Sequence, residues 1–563
     1  MGKAVCRRRH VALVASALMS ALPWVAPTAA GASPAPSAFA PGHAETGHAD
    51  LCVGPDHGCH PSLRAALAAA RSGDVIRVQP GTYRGGITID KSVTIIGAGA
   101  GRSEIRGGGP VLTVGRFGAA TEPTVALSGM TITAGITHRS FLNDHIAVGG
   151  GILIPPAEGF TVGGTLRIDR AVVSGNDVSP ATGSDAGISC GTHDCEFGLA
   201  AGGGIDSWGR LRITRSSVLD NTVGGTFASD ADGAGIDVHE GSLAVDHSRV
   251  ADNRATTTAP DGRFAEGGGI MADSTFSGPG RAHCCTVAIS SSEVSSNRAD
   301  MNGNVPIHGA TGSVIDTNAN GGGIHIGDGI PTTITDTAVT GNDVRAADPG
   351  GEPYGIDAGV NVGDSPLTMA HSSVSHNRVE TIAATSVDAG PGGSALELDG
   401  GGTISDSAVR DNVAIARSPA GAAQENGGLA VLNFTDDPRL VTLRRDVISG
   451  NVTQAWSRTA TATVQGGAIF NNSLLAVVGS RISDNVATAR APHGRAQGGG
   501  IWNGVELSGP PVTLSLRDSA VTGNTLLGNQ GIVRQGGGVY TTTPITVTTT
   551  PIRHNAPDQC VGC

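Results

Sequence analysis

The stretch Gly202-Gly203-Gly204-Ile205, leading through Leu211-Arg212-Ile213 to Val218-Leu219-Asp220-Asn221, decides the fold because it recurs along the chain. A glycine turn ends on an aliphatic residue, a β patch of period two follows, and a hydrophobic residue precedes an asparagine. The copy upstream reads Gly149-Gly150-Gly151-Ile152, Leu166-Arg167-Ile168, Val172 and Asn176. The closing asparagines continue as Asn253, Asn297, Asn342, Asn377, Asn412, Asn451, Asn485, Asn524 and Asn555, spaced by 31 to 45 residues. Most of that variation falls between an asparagine and the next glycines, as in 177–201 and 298–320, and these segments read as variable loops leaving one fixed corner. Strands of three to five residues joined by fixed turns describe a rung that cannot bury its apolar side alone and stacks on its neighbours at about 4.8 Å. The expected fold is a right-handed parallel β-helix of roughly 14 rungs, a rod on the order of 65 Å long. The asparagine has a physical use in it, since its amide at a tight turn can bond to the same residue one rung above and below. The residue before it is Gly, Asp, Ser or His in every copy, all types that suit turns.

Composition agrees with a narrow aliphatic column. Of 563 residues, 86 are Gly, aromatics are 3% and charged residues 15%. The formal charge is −12 and the only lysines are Lys3 and Lys91, which excludes a nucleic-acid partner held through phosphates. Glycine lacks the every-third-residue period of collagen, and recurrent Val, Ile, Leu and Ala patches exclude a disordered chain.

Residues 1–32 read as a signal peptide. Arg7, Arg8 and Arg9 precede an apolar run from Val11 to Val25, and the small residues Ala29, Ala30 and Ala32 follow. Residues 33–50 form an Ala/Pro-rich linker, 51–115 an N-terminal cap with the first rungs, and 116–563 the repeat region. A secreted or cell-surface monomer without a transmembrane anchor is expected. Eight cysteines remain beyond the leader, suited to an oxidising compartment. Three short-loop disulfides are expected, Cys52–Cys59, Cys190–Cys195 and Cys560–Cys563, with the state of Cys284 and Cys285 left open.

The repeats resemble those of polymorphic outer-membrane proteins and related bacterial β-helix proteins. The segment Ser62-Leu-Arg-Ala-Ala-Leu, Gly73-Asp74-Val-Ile, Pro80-Gly81-Thr82-Tyr83 and Ile89-Asp-Lys-Ser-Val93-Thr-Ile-Ile-Gly97 resembles the opening of many pectin-lyase-like proteins. The resemblance implies a capped β-helix. It does not extend to the membrane barrel of the outer-membrane members, whose run of ten-residue alternating strands is missing. Residues 62–71 read as a short helix, with Leu63, Ala66, Leu67 and Ala70 on one face, plugging the first rung.

Enzymes of this superfamily act on polysaccharides, but their motifs are missing: Asn-Thr-Asp, Gly-His-Gly and Arg-Ile-Lys do not occur, and Asp436-Asp437 stands alone. Asp230-Ala-Asp232-Gly233 begins like a calcium loop, lacks the later acidic ligand and reads as a turn. One constellation remains. The residue after each turn aliphatic should point out of the column, and that series reads Leu153, Asp206, Asp237, Met271, His325, Asn361, Glu397, Val431, Phe470, Trp502 and Tyr540. Two positions on stand Trp208, His239, Asp273 and Asp399. As a saccharide groove, this face would use Asp206, Asp237, Glu397 and Asp399 as acids, bases or Ca2+ ligands. His239 or His325 would carry protons, and Trp208, Phe470, Trp502 and Tyr540 would stack on sugar rings. Two functions follow: a non-catalytic protein binding carbohydrate or surface partners through one sheet face and the loops, or a polysaccharide lyase or glycoside hydrolase with its site on that face.

Overall fold

The computed structural model describes residues 48–140, 146–181, 198–258, 264–273, 286–303, 317–327, 329–348, 353–383, 387–388, 394–432, 439–505 and 511–563. Within one rung the chain passes through sheet I (Ile205–Ser207), sheet II (Arg210–Thr214) and sheet III (Ser217–Leu219). Beyond Asn221 it adds sheet IV (Thr222–Gly225) and sheet V (Asp230–Asp232) before the next glycine turn. Each strand pairs in parallel with its counterpart in the next rung. Sheet II holds 15 strands and sheets I and III 14 each, so the rod is the expected right-handed parallel β-helix. Three parallel sheets enclose one aliphatic column.

Period two fills that column. Ile205, Leu211, Ile213 and Val218 of one rung lie over Ile236, Leu243, Val245 and Val250 of the next, all buried in one continuous core. Two features of the repeated motif close each rung. The residue before every closing asparagine, from Gly175 to His554, is left-handed, with φ between 53° and 73°. Every asparagine amide then donates to the carboxamide oxygen of the next, from Asn176–Asn221 at 2.9 Å to Asn524–Asn555 at 2.9 Å. The same oxygen accepts the backbone N–H of the preceding asparagine, as Asn253 Oδ1 does from Asn221 at 3.1 Å. The glycine turn packs on this ladder: a Cβ at Gly204 would lie 2.9 Å from Asn221 Nδ2 and 2.5 Å from the Gly235 carbonyl oxygen. The two halves of the motif are therefore one contact.

The described parts of the segments expected as loops are largely sheet. Sheet IV has 11 strands, and sheet V runs as six strands and then five. The two sheets leave the column at the asparagine, return at the glycine turn and pack on each other as a fin. Its core is mostly alanine: Ala200, Ala231 and Ala255 early, Ala265, Ala299 and Ala319 in the middle, and Ala455, Ala462, Ala489 and Ala496 late.

The helix appears at Leu63–Ala69, with the Ser62 hydroxyl accepting the Ala65 N–H at 3.2 Å as its N-cap and Leu63, Ala66 and Leu67 buried on the first rung. Cys52 is joined to Cys59 and Cys560 to Cys563. The expected leader, the linker up to residue 47, Cys190, Cys195, Cys284, Cys285 and Asp436-Asp437 lie outside the described residues. Among the described residues, no helix is long and apolar enough to cross a membrane.

Candidate functional site

Sheet I carries the candidate column in register: Asp206 beside Asp237, then Met271, His325, Asn361 and Glu397. The next member is Ala430, not Val431, followed by Phe470, Trp502 and Tyr540. The turn before Leu429 is one residue shorter than that of the next rung, with Gly427-Gly428 after sheet V where the next rung has Gly466-Gly467-Ala468. Val431 therefore points into the column core.

The face points away from the column, as expected, but it is not an open sheet surface. Asp206, Asp237 and Glu397 are 0% exposed, and Trp208, His239 and Asp399 are buried as well. The fin supplies part of the cover, and Phe160, between sheets I and II, lies against Trp208 with ring centroids 6.2 Å apart. Sheet V meets sheet I across the glycine turn and covers it at the corner, where Ile146, Val148 and Ala201 pack on Leu153. Further along, the outer positions of sheet V bring acids to the same corner. Asp232 is driven well above the ordinary carboxylate range by burial and by Glu266, Asp230, Asp237 and Asp273. Asp230–Asp232 is thus a strand of sheet V leading into the turn at Gly233.

The six residues expected to share chemistry fall into separate groups. Asp206, Asp237 and His239 come together: His239 Nε2 lies 3.3 Å from Asp206 Oδ2 and 3.4 Å from Asp237 Oδ2. Burial opposes the charge on His239, yet Asp237 and Asp206 carry its pKa up to about 9. Burial pushes Asp237 up to about 7, with His239 pulling it down and Asp206 adding to the rise. The indole of Trp208 stacks on the His239 ring, centroids 4.5 Å apart and planes 28° from parallel. His325 lies two rungs on from Asp237, its Nε2 3.8 Å from Glu266 Oε2 of sheet V.

Glu397 lies five rungs from Asp206, about 24 Å along the rod. Its partner is Asp357, which the sequence reading did not single out. Asp357 occupies a turn position that is glycine in the preceding rung, at φ 47°. It accepts hydrogen bonds from Ser394 Oγ and from Asn361 Nδ2. Burial and the neighbouring Glu397 hold its carboxyl well above the ordinary range. An aspartate where sister turns carry glycine was the available signal.

The aromatic stripe is packing rather than an open platform. Phe470 and Trp502 stack on each other, 4.6 Å between centroids and 1° between planes, buried with Ala430 and Leu432 while Tyr540 closes the cluster half-buried. Among the described residues, Trp456 is the half-exposed tryptophan, on the outer side of sheet IV between Arg417 and Arg490 in register.

These features define a parallel β-helix with an added two-sheet fin and a buried acid–imidazole cluster at their junction. No family model matches the chain, and no curated protein matches it. Among solved structures it is similar to a mannuronan C-5 epimerase A-module of Azotobacter vinelandii, at 12% identity over 88% of this chain and 94% of that one, with a TM-score of 0.30. It is also similar to a PL6 alginate lyase in complex with a trisaccharide, at 10% identity over 91% of this chain and 89% of that one, TM-score 0.24. A surface adhesin of Streptococcus pneumoniae shows 10% identity over 85% and 89%, TM-score 0.23.

Proposed function

We propose that the chain is a secreted or cell-surface-associated carbohydrate-binding β-helix protein that does not cut or rearrange the polymer it holds. The observation that carries this reading is the closure of the sheet I face. Asp206, Asp237 and Glu397 are 0% exposed and His239 and Asp399 are buried, so these groups offer a polymer chain no open surface. Binding then belongs to surfaces that meet solvent. The outer side of sheet IV supplies one, with the half-exposed Trp456 flanked by Arg417 and the exposed Arg490 at rung spacing. An indole face suits a sugar ring, and guanidinium groups on either side suit acidic or hydroxyl substituents.

The test is binding of purified protein to a panel of neutral and acidic polysaccharides, with new reducing ends and unsaturated products followed in the same samples. Retention on at least one polymer, weakened about tenfold or more in Trp456→Ala, with no product, is the expected result. Retention that Trp456→Ala leaves untouched would move the binding face elsewhere.

A second reading, a polysaccharide lyase or glycoside hydrolase, is favoured by one observation. Asp237 titrates near 7 beside Asp206 and His239, which suits acid–base transfer at neutral pH. Product formation that disappears in Asp237→Asn would establish it in place of the first.

A further inference from the structure

The junction of column and fin holds a group with the composition of a metal site. Asp206 and Asp237 are neighbours in register on adjacent strands of sheet I, and His239 follows Asp237 by two residues, so all three side chains share one face. One donor atom from each lies within 4.8 Å of the others. Asp206 and Asp237 are 0% exposed, and three of their four carboxylate oxygens, Asp206 Oδ1 and both of Asp237, have no hydrogen-bond partner. Buried carboxylate oxygens left without donors are costly, and proteins satisfy them with donors or with cations.

We propose that Asp206, Asp237 and His239 bind one divalent cation of the zinc or manganese class, tying two adjacent rungs of sheet I together. The two separations from His239 fit: for metal–ligand bonds of about 2.1 Å, donor atoms 3.3–3.4 Å apart subtend about 105°, close to tetrahedral. The donor set selects the class. Calcium takes six to eight oxygen ligands, whereas one imidazole with two carboxylates suits zinc or manganese. Two carboxylates and a neutral imidazole also balance a 2+ ion within a closed site. Trp208, stacked on His239 with ring centroids 4.5 Å apart, fixes the plane of the imidazole. This inference is independent of the binding face on sheet IV.

The experiment uses tag-free full-length protein, stripped with chelator and titrated by calorimetry with zinc chloride, manganese chloride and calcium chloride in turn. Cobalt(II) absorption serves as a geometric readout. One equivalent of zinc or manganese, bound at least about tenfold more weakly in His239→Ala and in Asp237→Asn, is the expected result. Glu397→Gln, on the same face but five rungs away, should bind as wild type does. Circular dichroism confirms that each variant is folded. If both site variants fail to fold, the wild-type stoichiometry and a tetrahedral cobalt spectrum decide. The proposal is overturned if folded wild-type protein takes up neither zinc nor manganese, if calcium alone binds, or if the site variants bind unchanged.

Discussion

At the turn between sheets II and III, one small hydroxyl per rung accepts the backbone N–H of the rung before: Ser216, Ser248, Ser292, Thr337, Ser372 and Ser407, then Ser480, Ser519 and Thr550. Asp446 interrupts the series, its Oδ1 accepting from Ser407 N at 2.9 Å and its Oδ2 from Arg444 N at 2.7 Å. Burial raises its pKa from 3.8 to about 6, although both backbone hydrogen bonds pull the other way. A carboxyl whose pKa rises on folding contributes stability that is complete below about pH 4. That stability is lost as pH climbs through about 6. Asp446→Ser restores the ladder's own residue and removes the buried charge. It should raise stability by about 1–2 kcal/mol at pH 8 and by much less at pH 4. Thermal midpoints at the two pH values check this, and an equal gain at both would assign the effect to geometry rather than to charge.

The fin is the element that a hydrophobic pattern hides. Its strands alternate as faithfully as those of the column, but the inward residue is alanine, in Ile146-Ala147-Val148, Leu199-Ala200-Ala201, Asp230-Ala231-Asp232, Phe264-Ala265-Glu266 and Asn318-Ala319-Asn320. Small inward residues let two sheets approach closely while giving little contrast with their polar neighbours. Ala455, between Ala416 and Ala489 in register and packed in one cluster with Ala462 and Val464, should therefore not tolerate enlargement. Ala455→Leu is expected to cost about 1–3 kcal/mol. It should speed amide exchange across 452–465 while the column strand Leu474–Val478 stays protected; Ala476→Leu, on the outer side of sheet II, should be nearly neutral. The same contrast explains what could be read in advance. Ile, Leu and Val at fixed distances from glycine and asparagine revealed the column, the Asn176–Asn555 ladder and the register that joins Asp206 to Asp237. The burial of that face was not legible, because part of it depends on sheet V, whose alanines carry no strong signal. The slip from Ala430 to Val431 arose where one turn loses a residue and the motif alone cannot show it.

Over the whole molecule each rung touches only its neighbours, so stability spreads along the rod and the ends are the exposed liability. At the N-terminal end, sheets I, II and III would each present an unpaired strand edge around an open aliphatic column. Helix Leu63–Ala69 closes it with Leu63, Ala66 and Leu67, in one core with Val53 and Ile76 of the first strands. Lys91, the one lysine besides Lys3, fastens the end of that helix, its Nζ donating to the carbonyls of Leu67 at 2.9 Å and Ala70 at 2.7 Å. Leu67→Asp places a carboxylate against the column and should lift the helix off its end. The expected result is concentration-dependent end-to-end association by light scattering, with the thermal transition of the middle rungs nearly unchanged. Lys91→Met should do the same more weakly, because it loosens the helix without charging the core. A Leu67→Asp protein with the wild-type mass at every concentration would mean that uncovered rungs do not pair, and that the helix serves the stability of the first rung alone.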